Sequence, residues 1–168
     1  MAQVSTTVIM SIAAPRKPFY KWLVPGVFYD QLETVLRDAA FLPGVASTKD
    51  TSGPWDVPGS TRIITLTDGN TVRETVTAAT TPDFFSYVVT EFSNKTIGGL
   101  VKEMRGHWWF TDDGSGTQAK WTYTAESKSF LATLVLLPVI KILWNRYMKA
   151  ALKVTRQRAE KEVGGASR

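Results

Sequence analysis

One histidine, no cysteine and fifteen acidic side chains among 168 residues leave few groups able to do chemistry. Without Cys there is no disulfide framework, no thiolate nucleophile and no zinc site built on sulfur. A single His excludes a His-rich metal site and leaves one imidazole for acid–base work. That residue, His107, sits in the run Gly106-His107-Trp108-Trp109-Phe110. Strand alternation groups Met104, Gly106, Trp108 and Phe110 as an inward set, which turns His107 outward with Arg105 and Trp109. No Ser–His–carboxylate spacing is visible, so a nucleophilic triad has little support. No metal site and no cofactor are expected.

The carboxylate that stands apart is Glu74. Two β-branched runs, residues 61–67 and 71–80, flank Asp68-Gly69, the strongest short hairpin signal. Read as a two-residue turn, it pairs Thr67 with Asn70, Leu66 with Thr71, Thr65 with Val72 and Ile63 with Glu74. One face then carries Ile63, Thr65, Val72, Glu74, Val76 and Ala78. The other, with Arg62, Ile64, Leu66, Arg73, Thr75 and Thr77, is expected in solvent. Glu74 becomes a carboxylate on an apolar face, where an ionised, unpaired group is costly. It should therefore be hydrogen-bonded, paired or protonated. Such a carboxylate suits a general acid or base, and it equally suits an internal anchor for a loop or a water.

The elements that must position these groups follow from periodicity. Residues 3–14 alternate Val4, Thr6, Val8, Met10 and Ile12 on one face, which is strand behaviour and lacks the features of a targeting signal. Pro15 opens a short aromatic helix stopped by Pro25-Gly26. The spacing of Leu32, Val35, Leu36 and Ala39 predicts a second helix over 29–40, closed by Pro43-Gly44. Residues 45–51 form a short strand, and 53–59 a loop whose Trp55 hints that it packs over something. Strands follow at 84–92, 100–111 and 117–126, for six or seven antiparallel strands. From Ser129 to about Glu162 the period is helical, with Leu136, Ile140, Leu143, Tyr147, Ala151 and Val154 in one stripe and a kink expected at Pro138. At ~1.5 Å per residue this helix is on the order of 50 Å long, and it can bury its stripe only by lying across the sheet.

Charge and hydropathy narrow the partners. Residues 141–168 hold eight basic side chains against Glu160 and Glu162, while the rest of the chain holds twelve against thirteen acidic ones, so the net charge of +5 belongs to one helix end. No basic patch interleaved with aromatics is visible, and no nucleic-acid partner is expected. The longest uncharged apolar run, residues 130–140, is well short of the ~20 residues of a bilayer span. No stable membrane insertion is expected, and the location is read as cytoplasmic.

Several local motifs resemble one known family. Pro54-Trp55 with Gly59, then Arg62, Leu66-Thr67-Asp68-Gly69, Val72 and Glu74, followed by Phe85-Ser86-Tyr87 and by Gly116-Thr117 before Trp121, resemble the START-related and polyketide cyclase/dehydrase (SRPBCC) superfamily. The likeness spans essentially the whole chain and is clearest over residues 54–123. It implies an α+β helix-grip fold. A curved antiparallel sheet of six to seven strands wraps one long C-terminal helix, with two short helices after the first strand. One domain over 1–163 and a flexible tail over 164–168 are expected. The resemblance further implies an apolar cavity between sheet and helix that binds a hydrophobic small molecule, such as a lipid, polyketide or aromatic metabolite, as a carrier or sensor. The alternatives are a polyketide cyclase/dehydrase-like enzyme using Glu74 as general acid or base, and a protein- or membrane-interaction module. Fold does not settle among these.

Alternation selects the residues expected to bind the ligand. Thr117, Ala119, Trp121, Tyr123 and Ala125 share an inward face, and of these Trp121 and Tyr123 are expected at the ligand, because a buried hydroxyl or indole N–H wants a partner. Tyr87, Met104, Trp108, Leu137, Trp144 and Trp55 complete the expected set, although the same residues would fill an ordinary core. The run 130–140 is apolar on more than one face and could form the cavity mouth, a dimer face or a membrane-touching patch. A homodimer is the preferred use.

Overall fold

Clean alternation in the first strand sets the frame of the molecule, whose computed structural model describes residues 2–165. Strand β1 (Gln3–Ile12) buries Val4, Thr6, Val8 and Ile12 and leaves their neighbours outside. The remaining strands are β2 (Val45–Lys49), β3 (Thr61–Leu66), β4 (Thr71–Thr80), β5 (Phe84–Thr90), β6 (Val101–Asp113) and β7 (Gly116–Ser127). They form one seven-stranded antiparallel sheet in the order β1-β7-β6-β5-β4-β3-β2. The first strand thus closes on the last, from Gln3 opposite Glu126 to Ile12 opposite Thr117. The helices are α1 (Arg16–Trp22), α2 (Phe28–Asp30), α3 (Lys95–Leu100), α4 (Phe130–Pro138) and α5 (Asn145–Glu162). The molecule is therefore α+β with the helix-grip arrangement the motifs implied.

The C-terminal helix packs chiefly on β1 and β7, at one edge of the sheet. Ser129 caps α4 by accepting the Ala132 N–H at 3.1 Å, one of the donors left free at a helix start. Pro138 lacks the N–H that an α-helix would use, and the chain passes through wide turns at Val139–Trp144 before α5 resumes. The wide turns rephase the buried stripe. Leu136, Ile140, Tyr147 and Ala151 are buried as the spacing predicts, but Leu143 and Val154 are only half-buried, and Met148, Leu152, Thr155 and Ala159 complete the core. Asn145 ties the turn to β1 by donating to Thr6 Oγ1 at 2.8 Å.

Two expectations are corrected. The helix expected over 29–40 is replaced by α2, a single 3₁₀ turn at Leu32–Thr34 and a fold-back. Asp38 holds that fold-back by accepting the Gly44 N–H and the Thr67 hydroxyl, each at 2.6 Å. A Cβ on Gly44 would lie 2.5 Å from the backbone of Arg37 and Asp38, so only glycine permits this approach. Helical spacing at Leu32, Val35 and Leu36 is satisfied by burial in the fold-back instead.

The second correction concerns the β3–β4 hairpin. Its loop has three residues, closed by Leu66 N–H donating to the Asn70 carbonyl at 2.8 Å, with Gly69 at φ +84°. Thr65 therefore faces Thr71, Ile64 faces Val72 and Arg62 faces Glu74. A one-residue slip swaps the faces of a strand. Arg62 and Ile64 are buried at 2% and 3% exposure, whereas Ile63 and Thr65, expected inside, are half-exposed. Of the tail expected over 164–168, the last three residues lie outside the described ones.

Candidate functional site

Between the sheet's inner face and the C-terminal helix lies a cavity of about 260 Å³. Its walls are largely aliphatic, with Ile64, Val72, Val89 and Val101 from the sheet and Leu136 and Ile140 from the helix. Asp68, Asn70, Thr71 and Asn94 supply polar groups from the β3–β4 hairpin and the loop before α3. Asn94 caps that helix by accepting the Thr96 and Ile97 N–H groups.

Glu74 is the charged residue inside. It lies on β4, opposite Arg62 on β3, and the two are 7% and 2% exposed. Arg62 donates twice to a single carboxylate oxygen, Glu74 Oε2, from Nε at 3.0 Å and Nη2 at 2.7 Å. Its remaining Nη1 donates to the Phe28 carbonyl. Trp55 lies across the guanidinium, with Cζ 3.7 Å from the ring centroid, a cation–π contact. The loop of residues 53–59 thus packs over Arg62, and every donor group of that side chain aims at the interior. The other carboxylate oxygen, Oε1, has no hydrogen bond among the described residues, and Glu74 lines the cavity. A second void of about 20 Å³, close to the room for one water, lies behind the pair against Phe28, Trp55, Phe85 and Trp108.

Three tyrosines share this space: Tyr87 from β5, Tyr123 from β7 and Tyr147 from α5. Burial raises the pKa of each above its ordinary value. Among the further causes, the Glu74 charge pushes all three the same way, which places them in one electrostatic neighbourhood. None of their hydroxyls has the geometry of a full hydrogen bond to protein among the described residues, and the Tyr87 hydroxyl has the indole N–H groups of Trp108 and Trp121 close by, which offset part of the rise in its pKa. The ring of Tyr87 lies directly over Gly106 on the neighbouring strand, where a Cβ would come 2.2 Å from Tyr87 Cζ. Glycine at 106 is what lets Tyr87 lie flat across the sheet. The indole N–H groups of Trp121 and Trp144 are buried without a partner, an arrangement whose ordinary explanation is a water or a bound molecule.

Of the residues expected from sequence, Glu74, Tyr87, Met104, Trp121, Tyr123 and Trp144 line this cavity together. Three do not. Trp108 lies behind Trp121, stacked at 4.6 Å and capped by Phe28 at 5.4 Å, and reaches only the small void. Trp55 is held away by its stack on Arg62. Leu137 is 47% exposed on the outer side of the helix, because the inward phase falls on Leu136. Arg62, a motif residue that the two-residue turn put in solvent, is buried against Glu74, and Tyr147, read from sequence only as part of the helical stripe, lines the cavity. His107 points away from the cavity, stacked on Trp109 at 5.7 Å. Burial, then Arg105, lowers its pKa below the usual value.

Comparison with known proteins bears on this geometry. A family model described as polyketide cyclase/dehydrase and lipid transport matches residues 30–160. Comparison with curated proteins finds no match. Among solved structures, norcoclaurine synthase from Thalictrum flavum, in complex with dopamine and hydroxybenzaldehyde, superposes with a TM-score of 0.73 at 12% identity, covering 96% of this chain and 88% of that one. Ara h 8.0201 gives 0.67 at 14% identity, with 96% and 100% covered. Major latex-like protein 151 from Panax ginseng gives 0.63 at 12% identity, with 93% and 97% covered. Identities this low speak to the fold alone.

Proposed function

The chain belongs to the polyketide cyclase/dehydrase and lipid-transport family, and on that premise we propose that its cavity binds a small amphiphilic molecule as a carrier or sensor. The observation that carries the reading is the free Glu74 Oε1 beside the hydroxyls of Tyr87, Tyr123 and Tyr147 in an otherwise largely apolar space. An ordinary core hides such groups from everything, at a cost of about 1–3 kcal/mol for each left unsatisfied. A ligand with an apolar, ring-bearing body and a hydroxyl or amine at its inner end satisfies them. A volume of about 260 Å³ is slightly below the ~300–1,000 Å³ of drug-sized sites and favours a compact metabolite over a two-chain lipid.

A second reading, acid–base catalysis by Glu74 on such a ligand, draws on the same free oxygen. Arg62 engages Oε2 and orients the carboxylate, so proton transfer would run through Oε1. Loss of turnover in Glu74→Gln with ligand affinity retained would favour it.

The binding reading is tested by titrating the protein with anilinonaphthalene sulfonate. Val89 is a buried wall residue, and Val89→Phe fills the cavity from the sheet side. Dye affinity should drop at least about tenfold in this variant, while its stability stays within ~1–3 kcal/mol of the parent. Equal dye affinity in the two proteins would exclude the cavity as the binding site.

A further inference from the structure

The helix that walls the cavity is apolar on both sides. Leu136 and Ile140 are buried toward the sheet, while Phe130, Leu131, Leu134, Val135, Leu137 and Ile142 remain between 47% and 75% exposed. A helix on the surface of a folded domain ordinarily turns polar residues outward, and an apolar patch of this extent marks an interaction surface. The charge beside it has one sign. Residues 127–159 contain seven basic side chains and no acidic one. Arg156 and Arg158 pair with Glu160 and Glu162. Lys141, Arg146, Lys149 and Lys153 are exposed and make no ion pair among the described residues. On the loop before β2, Phe41 is 99% exposed next to Leu42, which lines the same cavity.

We propose that this helix face docks on an anionic lipid bilayer. The exposed leucines and Phe130 enter the acyl boundary, and the four free basic side chains reach the headgroup phosphates. Lys141 lies within the apolar face itself and decides between occupants. A second copy of the chain meeting this face about a two-fold axis would bring equally positive surface against it and bury Lys141 without a counter-charge. A bilayer surface lets the lysine stem lie in the apolar layer while its ammonium meets phosphate. A span across the bilayer would strip Leu136, Ile140 and Tyr147 from the sheet, whereas docking leaves them packed. The wall of the cavity is then held against the membrane, so an apolar ligand can pass between bilayer and cavity with little exposure to water. The docking itself does not depend on the ligand reading.

The test is co-sedimentation of the full chain with phosphatidylcholine vesicles and with vesicles that include about 30% phosphatidylglycerol. Binding to the anionic vesicles is expected, weakening as salt rises. Leu131→Glu with Val135→Glu should reduce bound protein at least about tenfold, and Lys141→Glu with Lys149→Glu by a similar factor. Lys49→Glu, on the far edge strand, should leave binding unchanged. Circular-dichroism melts verify that each variant is folded, and the salt dependence of the unaltered protein needs no variant at all. No binding, or equal binding to both vesicle types, overturns the proposal. So does a dimer in sedimentation velocity that Leu131→Glu with Val135→Glu splits, since a second copy would then occupy the face.

Discussion

Replacing Arg62 with Met leaves the Glu74 carboxylate buried with no counter-ion among the described residues. The substitution removes two charge-assisted bonds to Oε2, the bond to the Phe28 carbonyl and the stack on Trp55. Breaking a buried pair by deleting one partner costs about 3–5 kcal/mol, because the surviving charge stays out of water. With unfolding entropy near 2.1 cal/mol/K per residue, 168 residues give about 0.35 kcal/mol/K, so a loss of ~4 kcal/mol lowers Tm by about 11 °C. The double variant Arg62→Met with Glu74→Leu removes both charges and should recover most of that loss, since apolar replacement of a buried pair is close to neutral. Thermal and urea unfolding of the parent, both singles and the double complete the cycle. A drop in Tm below about 3 °C for Arg62→Met, or a double no better than the worse single, would refute the claim that this pair is buried and coupled.

Other outcomes follow from the same geometry. Gly106→Ala drives a methyl into the Tyr87 ring and should cost about 1–3 kcal/mol in urea unfolding; adding Tyr87→Leu should return part of it, and a neutral Gly106→Ala would contradict the contact. Tyr87, Tyr123 and Tyr147 have pKa values raised by burial, so their contribution is fully present below the unfolded value near 10 and is lost as pH rises above it. By about pH 11 the three together withdraw about 4 kcal/mol. Tyrosinate absorbance should therefore rise for these residues only as the protein unfolds, and their ionisation near pH 10 in a folded protein would count against a shielded cavity. The Thr67 hydroxyl, then the Gly44 N–H, hold the Asp38 pKa below its ordinary value, so its contribution is present above the usual carboxylate range and lost as pH falls through the lowered value. Asp38→Ala should flatten the acid limb of the stability–pH curve there, and an unchanged limb would mean the fold-back at 38–44 is held by other groups.

How much of this could be read from sequence depended on whether the signal was local. The inward sets of β6 and β7 were legible because Met104, Trp108, Phe110, Trp121 and Tyr123 alternate with residues that are polar apart from Trp109, over long strands. Glu74 was legible as an inward carboxylate for the same reason. Its partner was not. Two- and three-residue loops both use Asp-Gly, and the choice between them moves Arg62 and Ile64 from one face of the sheet to the other. Trp55 signalled a packed loop, but what it packs on depended on that register. The fold-back after α2 escaped because Asp38, Gly44 and Thr67 act across 29 residues, and helical spacing cannot report such a contact. Pro138 announced a break in the helix but not the wide turns that follow, and Leu137 was assigned inward where Leu136 is. Helix α3 carries a cap signal in Asn94 that its two glycines mask.

The most direct measurement of the central claim is native mass spectrometry of the freshly purified full chain, repeated after soaking with anilinonaphthalene sulfonate. The account predicts one non-covalent small molecule per chain in at least one of the two spectra, absent when Val89→Phe fills the cavity. The bare chain mass in both spectra of the unaltered protein would contradict it.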